Sequence, residues 1–258
     1  MLLEVKEIEL SFSGLKALNG VSLTVGSEEM VAVIGPNGAG KTSLFNCISG
    51  LYRPQKGSIH FDGRNIGPLP PHEIARLGVA RTFQNLALFE YLTVLENLQI
   101  GSHIHFKSHW WQDLLWARSC RAEEVRHRRR VEEVIDFLDL EKYREMPVSI
   151  LPYGVLKRVE LGRALCMNPK LLLLDEPAAG LNQEATEDLA RYILDIKEEL
   201  KVGLLLIEHD LRFVLELADK VTVLDFGAKI ADGLPHEVAR HPEVVAAYSG
   251  VGGEVGIS

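Results

Sequence analysis

Gly35-Pro36-Asn37-Gly38-Ala39-Gly40-Lys41-Thr42 follows the wholly apolar run Met30 to Ile34 and precedes an apolar-periodic segment, Ser43 to Ile48. The stretch fits G-x-x-x-x-G-K-[ST] in full. A strand buried on both faces reads as a continuous apolar run, so the context is strand, loop, helix. Glycines at 35, 38 and 40 let the backbone curl until its N–H groups point inward. Those donors and the positive end of the following helix cradle phosphate oxygens. Lys41 adds a full positive charge suited to the β- and γ-phosphates, and the Thr42 hydroxyl is a ligand for Mg²⁺. By itself the loop implies a nucleoside triphosphate and phosphoryl transfer.

Working outward, Leu2 to Leu10 alternates apolar and charged residues, as a half-exposed strand does. Val21, Leu23 and Val25 alternate again, and Ile59 and Phe61 suggest a strand closed by the turn Asp62-Gly63. On the other side, Leu156 to Cys166 reads as helix, Leu171 to Leu174 as buried strand and Thr186 to Leu200 as helix. Leu204 to Ile207 follows as strand, Leu211 to Ala218 as helix and Val221 to Leu224 as strand. Alternating strands and helices predict a largely parallel sheet covered on both faces. The block from about Leu92 to Arg144 differs: Thr93 to Ile100 reads as helix, and Val131, Val134, Ile135 and Leu138 form one apolar helical face. It is expected to be a helical insertion.

Leu171-Leu-Leu-Leu-Asp175-Glu176-Pro177 is an apolar strand ending in two acids. A carboxylate at a buried strand tip needs a counter-ion. Mg²⁺ shared with Thr42 and the triphosphate supplies one, which makes Asp175 the expected metal-side acid. Glu176, one residue beyond the strand, is placed to polarise an attacking water.

Composition narrows the alternatives. The chain has 258 residues and a formal net charge of −8, so sequence-independent nucleic-acid binding, which needs a basic face, is disfavoured. The N-terminus MLLEVKEIEL is interrupted by charge at once and is expected not to be a cleaved leader. No apolar run approaches the roughly 18 residues of a membrane-spanning helix. Cys47, Cys120 and Cys166 are widely spaced, which favours reduced thiols over a disulfide framework.

In Leu3 to about Gly250 these motifs, in this order, resemble the ATP-binding cassettes of ABC transporters. The resemblance implies an α/β phosphate-loop NTPase fold with a mostly parallel central sheet, an N-terminal antiparallel β subdomain and an inserted α-helical subdomain. It implies a single ATP-binding domain over 1–250, its core formed by 1–91 and 151–250. The helical part is implied to span about 92–150 with a signature loop at its end, and 251–258, small and glycine-rich, is expected to be a flexible tail. ATP contacts are implied for Gly35, Pro36, Asn37, Gly38, Ala39, Gly40, Lys41, Thr42 and Ser43, with Phe12 stacking on adenine. Gln84, in Arg81-Thr-Phe-Gln84, looks like the glutamine that reaches Mg²⁺ and water. His209, in Ile207-Glu208-His209-Asp210, looks like the histidine that contacts the γ-phosphate. With Glu176 these form the implied catalytic set, and Thr42, Gln84 and Asp175 the implied metal set.

The signature loop departs from the family pattern L-S-G-G-Q, reading Leu151-Pro152-Tyr153-Gly154-Val155. Contacts from Pro152, Tyr153 and Gly154 to a second chain's nucleotide are implied, with Pro152 lacking the usual hydroxyl and N–H. Pro177-Ala-Ala-Gly-Leu-Asn182, Arg-Thr-Phe-Gln-Asn and the ending Ala247-Tyr248-Ser-Gly250 are similar to the ATP-binding subunits of branched-chain amino acid importers. The implied partners are a second ATP-binding subunit (the same or a different chain), two transmembrane permease subunits and an extracytoplasmic solute-binding protein, with no nucleic acid. The implied location is the cytoplasmic face of the inner membrane. Two other readings stay open: an ATP-dependent dimerisation switch with weak hydrolysis, and the ATPase of a lipid or lipopolysaccharide exporter. Trp110, Trp111 and Trp116 are expected either to dock a membrane partner or the bilayer interface, or to pack within the helical subdomain.

Overall fold

The computed structural model describes residues 1–82, 86–102, 117–209 and 211–249. Gln84, Trp110, Trp111, Trp116 and the segment 251–258 lie outside the described residues. Leu3–Phe12 (β1), Leu15–Val25 (β2), Lys56–Phe61 (β4) and Arg64–Asn65 (β5) form an antiparallel sheet in the order β2-β1-β4-β5. The expected turn Asp62-Gly63 joins β4 to β5 with both residues at positive φ, 50° and 75°. That is the geometry a two-residue hairpin loop needs to match the strand twist.

Met30–Ile34 (β3), Val79–Arg81 (β6), Leu171–Asp175 (β7), Gly203–Ile207 (β8), Lys220–Asp225 (β9) and Ala228–Gly233 (β10) form the second sheet, in the order β10-β9-β3-β8-β7-β6. All its pairings are parallel except β9 with β10. The expected apolar runs are its centre, and every residue of β3, β7 and β8 is buried. Side chains alternate strictly between two cores. Val31, Val33, Leu171, Leu173, Leu205 and Ile207 join the antiparallel sheet and the helix Lys41–Ile48 (α1) on one face. Met30, Ala32, Ile34, Leu172, Leu174, Leu204 and Leu206 meet the remaining helices on the other.

That second face is covered by Gln183–Glu198 (α6), Leu211–Leu217 (α7) and a helical layer of Val94–Ser102 (α3), Ala117–Phe137 (α4) and Tyr153–Leu165 (α5). The apolar face expected on α4 is buried through Val131, Val134, Ile135 and Leu138. Helix α3 opens with a reciprocal capping box: Thr93 N donates to Glu96 Oε2 at 2.7 Å and Glu96 N to Thr93 Oγ1 at 3.2 Å. Among the described residues no helix is long and apolar enough to cross a membrane. The described residues also include short elements with no clear period in the sequence: β6, β10 and the helices Pro71–Arg76 (α2), Pro235–Val238 (α8) and Pro242–Ser249 (α9).

Candidate functional site

Strands β3, β8 and β7 are neighbours and parallel, so the loops that leave their C-terminal ends open on one edge of the sheet. In α/β sheets ligands bind at that edge. The phosphate loop leaves β3. Gly35 takes φ 148° and a Cβ there would lie 2.0 Å from Leu224 O; Gly40 takes φ 101° with Ala17 O 2.5 Å from the same hypothetical atom. Backbone conformation and close main-chain approach both exclude a side chain. The loop rim is fastened to both sheets: Asn19 N on β2 donates to Gly227 O at 2.8 Å, and Gly227 N donates to Ala39 O at 3.0 Å.

Lys41 folds back over the loop, its Nζ donating to Gly35 O at 2.6 Å and Pro36 O at 3.0 Å. Burial pulls its pKa below the ordinary lysine range, opposed by the nearby carboxylates of Glu176 and Asp175. A cleft of about 590 Å³ opens above, lined by Leu15, Lys16, Ala17, the loop from Asn37 to Ser43, Glu176 and Phe226. Phe12 stands directly opposite Leu15 in the β1–β2 hairpin but packs edge-on against Tyr52, ring centroids 5.1 Å apart, and is not part of this lining. The aromatic side chain that does line it is Phe226, 87% exposed, in the turn between β9 and β10.

Asp175 ends β7. The counter-ion its burial demands is present in the protein itself: Arg81 Nη2 lies 2.7 Å from Asp175 Oδ2. The sequence motifs imply a metal in that role and none for Arg81. The guanidinium is further held by Asn46 Oδ1 at 2.7 Å and Ser49 Oγ at 3.2 Å, and lies over the Phe45 ring. The available signal was a strand-tip acid buried with no neighbouring base in sequence. Glu176 follows at φ 49°, its N–H donating to Ile207 O at 2.9 Å.

At the end of β8, Glu208 is fully buried. Its Oε1 accepts the Ala178 N–H and its Oε2 the His209 N–H, each at 3.0 Å. The His209 ring is exposed, with Nδ1 3.5 Å from Glu208 Oε2. Like Arg81, Glu208 carries no role implied by the sequence motifs.

Pro152, Tyr153 and Gly154 lie elsewhere. Pro152 is the N-cap of α5 and supplies no side-chain cap. Tyr153 Oη donates to Ala179 O at 3.3 Å, which ties the start of α5 to the loop that follows Glu176. These residues line a separate groove of about 460 Å³ with Gly180, Leu181 and Asn182, and it shares no lining residue with the cleft over the phosphate loop. Asn182 caps α6, accepting the Ala185 N–H at 2.9 Å.

A curled loop between a buried strand and a helix, with two acids at the end of β7, one strand removed in the same sheet, is the arrangement of a phosphate-loop nucleoside triphosphatase cassette. The family model described as ABC transporter matches residues 18–179. The chain is 41% identical over 249 residues to the high-affinity branched-chain amino acid transport ATP-binding protein BraF of Pseudomonas aeruginosa, covering 96% of this chain and 98% of that one. It is 38% identical to the corresponding LivG of Escherichia coli K12, with the same coverage. Among solved structures, a nucleotide-free ATP-binding cassette from an ABC transporter is similar at TM-score 0.83 and 33% identity, covering 96% of this chain and 98% of that one. The ADP conformation of the ABC cassette MJ1267 is similar at TM-score 0.84 and 32% identity, over the same shares. The chain belongs to the ABC transporter family: it is an ATP-binding, ATP-hydrolysing subunit of such a transporter.

Proposed function

We propose that this subunit powers the import of a branched-chain or closely related amino acid from the cytoplasmic face of the cell membrane. It works with a second ATP-binding subunit, two permease subunits and an extracytoplasmic solute-binding protein. The observation that carries this reading is the end-to-end similarity to branched-chain amino acid transport subunits, at 41% identity over 96% of the chain. Purification of the complex from membranes, identification of the attached subunits and uptake of radiolabelled leucine by the reconstituted complex test it. ATP-dependent uptake that stops in Glu176→Gln is expected; a complex that moves lipid and no amino acid would overturn it.

The proposed chemistry follows from the cleft. Main-chain N–H groups between Gly38 and Thr42, with Lys41, take the β- and γ-phosphates; the lysine exchanges its carbonyl partners Gly35 and Pro36 for phosphate oxygens. The base lies toward the β1–β2 hairpin, with Leu15, Phe12 and Phe226 as its candidate apolar neighbours. The hard oxygen donors Thr42 and Asp175 fit Mg²⁺. Asp175, its carboxylate oriented by Arg81 at Oδ2, would be one of the residues that hold the ion. Among the described residues no cluster of three or more His, Cys, Asp or Glu forms a metal site by itself, which fits a cation that takes its other ligands from nucleotide and water. Bound there, Mg²⁺ supplies charge neutralisation on the phosphates. Glu176 accepts the proton of the attacking water and His209 orients toward the γ-phosphate, in the roles the family resemblance implies; Gln84 is assigned by resemblance alone.

The signature groove and the phosphate cleft are separate within one chain. By the family resemblance, Pro152, Tyr153 and Gly154 are assigned to the nucleotide of a second subunit, with two nucleotides held between two chains, and the separation of the two grooves is compatible with that. The N–H groups at the start of α5 then reach the γ-phosphate without help from a hydroxyl at 152. ATP binding closes that pair, hydrolysis releases it, and the helical layer passes the motion to the permease.

A further inference from the structure

We infer that Glu208 is a positioning residue that holds Glu176 and His209 in one rigid frame; the inference rests on the proposed role of Glu176. Three observations carry it. First, the carboxylate is fully buried, 0% exposed, at the end of the central strand β8. A charge in such a place persists only when hydrogen bonds satisfy it. Second, its oxygens serve two different segments: Oε1 takes the Ala178 N–H and Oε2 the His209 N–H. Third, the turn it grips is a strained one. Glu176 sits at φ 49°, in the left-handed region that residues with a Cβ avoid.

The register explains why a side chain is needed. Pairing of β7 with β8 ends at Asp175 opposite Ile207, and the ladder gives one more bond, from Glu176 N to Ile207 O at 2.9 Å. Beyond it the two chains diverge. The Glu208 side chain spans that gap and captures the next available donor, Ala178. The strained turn is thus pinned on both sides of Glu176, which directs the Glu176 carboxylate into the cleft beside Lys41. The second oxygen fixes how the chain leaves β8 toward His209. A carboxylate suits this task because it accepts at both oxygens, whereas an amide accepts at one and presents N–H groups at the other. Displacing one anchor therefore moves the two residues assigned to the γ-phosphate, without touching the loop assigned to bind it.

The test compares the full chain with Glu208→Gln, Glu208→Ala and, as reference, Glu176→Gln. Affinity for a fluorescent ATP analogue, Mg-ATP turnover and amide hydrogen exchange are measured on each. The expected result for Glu208→Gln is affinity within about twofold of the parent and turnover reduced about a hundredfold, the scale of a small misplacement at a reacting centre. Glu208→Ala loses more turnover, and exchange in the peptide spanning 176–180 quickens in both variants. Parental turnover in Glu208→Gln beside an inactive Glu176→Gln overturns this inference alone, as does a parallel loss of affinity and turnover. Parental turnover in Glu176→Gln overturns the role of Glu176 and the inference together. Fast exchange at Ala178 in the parent also overturns it, whether or not the variants fold.

Discussion

The guanidinium of Arg81 and the carboxylate of Asp175 form an ion pair at 2.7 Å, with side chains 9% and 3% exposed. They come from the ends of adjacent parallel strands, 94 residues apart in sequence. Removing one partner of a buried pair leaves an uncompensated charge, at a cost of about 3–5 kcal/mol. Arg81→Met is therefore expected to lower the thermal midpoint by at least about 6 °C, at roughly 2–4 °C per kcal/mol for a chain near this size. Arg81→Met combined with Asp175→Asn should recover part of that loss. Calorimetry checks it, and a fall under about 2 °C in the single variant would show the pair to be dispensable.

ATP affinity should weaken on the alkaline side earlier than an ordinary lysine would allow. Burial lowers the pKa of Lys41 below the usual 10.5. Between that lowered value and 10.5, the folded state binds fewer protons at this site than the unfolded chain. The penalty of burying the charge is full at lower pH and is relieved as pH rises through this window, so this residue's contribution to stability increases there. Phosphate binding needs the charge, so affinity runs in the opposite direction. Titrating nucleotide affinity from neutral pH upward should show a decline in the parent that Lys41→Ala, already weak, lacks.

Helices α3 and α5 meet through glycine. A Cβ at Gly101 would stand 2.1 Å from Arg163 O, a main-chain atom that moves only if the helices separate. Gly101→Ala is expected to destabilise the chain by about 1–3 kcal/mol, the usual cost of overpacking. Chemical denaturation measures it; an unchanged midpoint would mean that the contact is not tight in solution.

Asn182 accepts the Ala185 N–H at the start of α6. Asn182→Ala should cost about 1 kcal/mol as a lost N-cap, whereas Asn182→Asp keeps the acceptor and costs nothing measurable. A large loss in the aspartate variant would point to a role for the uncharged amide outside the helix.

The centre of the sheet was legible because β3, β7 and β8 are buried on both faces and spell uninterrupted apolar runs, Met30 to Ile34 among them. The apolar face of α4 was equally plain at Val131, Val134, Ile135 and Leu138. β6 was not: three residues hold no period, and they become a strand only because Leu171 to Leu173 offer a partner. The cleft shows the same division. Its phosphate loop is local, and main-chain curvature leaves a mark in glycine spacing. The partners of Asp175 and Ala178 come from strands distant in sequence, so no local pattern announces Arg81 or Glu208. The hairpin that brings Phe226 to the cleft is equally remote from the loop it borders.

Asn19, Gly227 and Ala39 are joined head to tail by peptide groups alone. Any replacement of Asn19 or Ala39 other than by proline keeps the donor and acceptor of both bonds, so the seam between the β1–β2 hairpin and the loop after β3 is written in the main chain and hidden from the side-chain code.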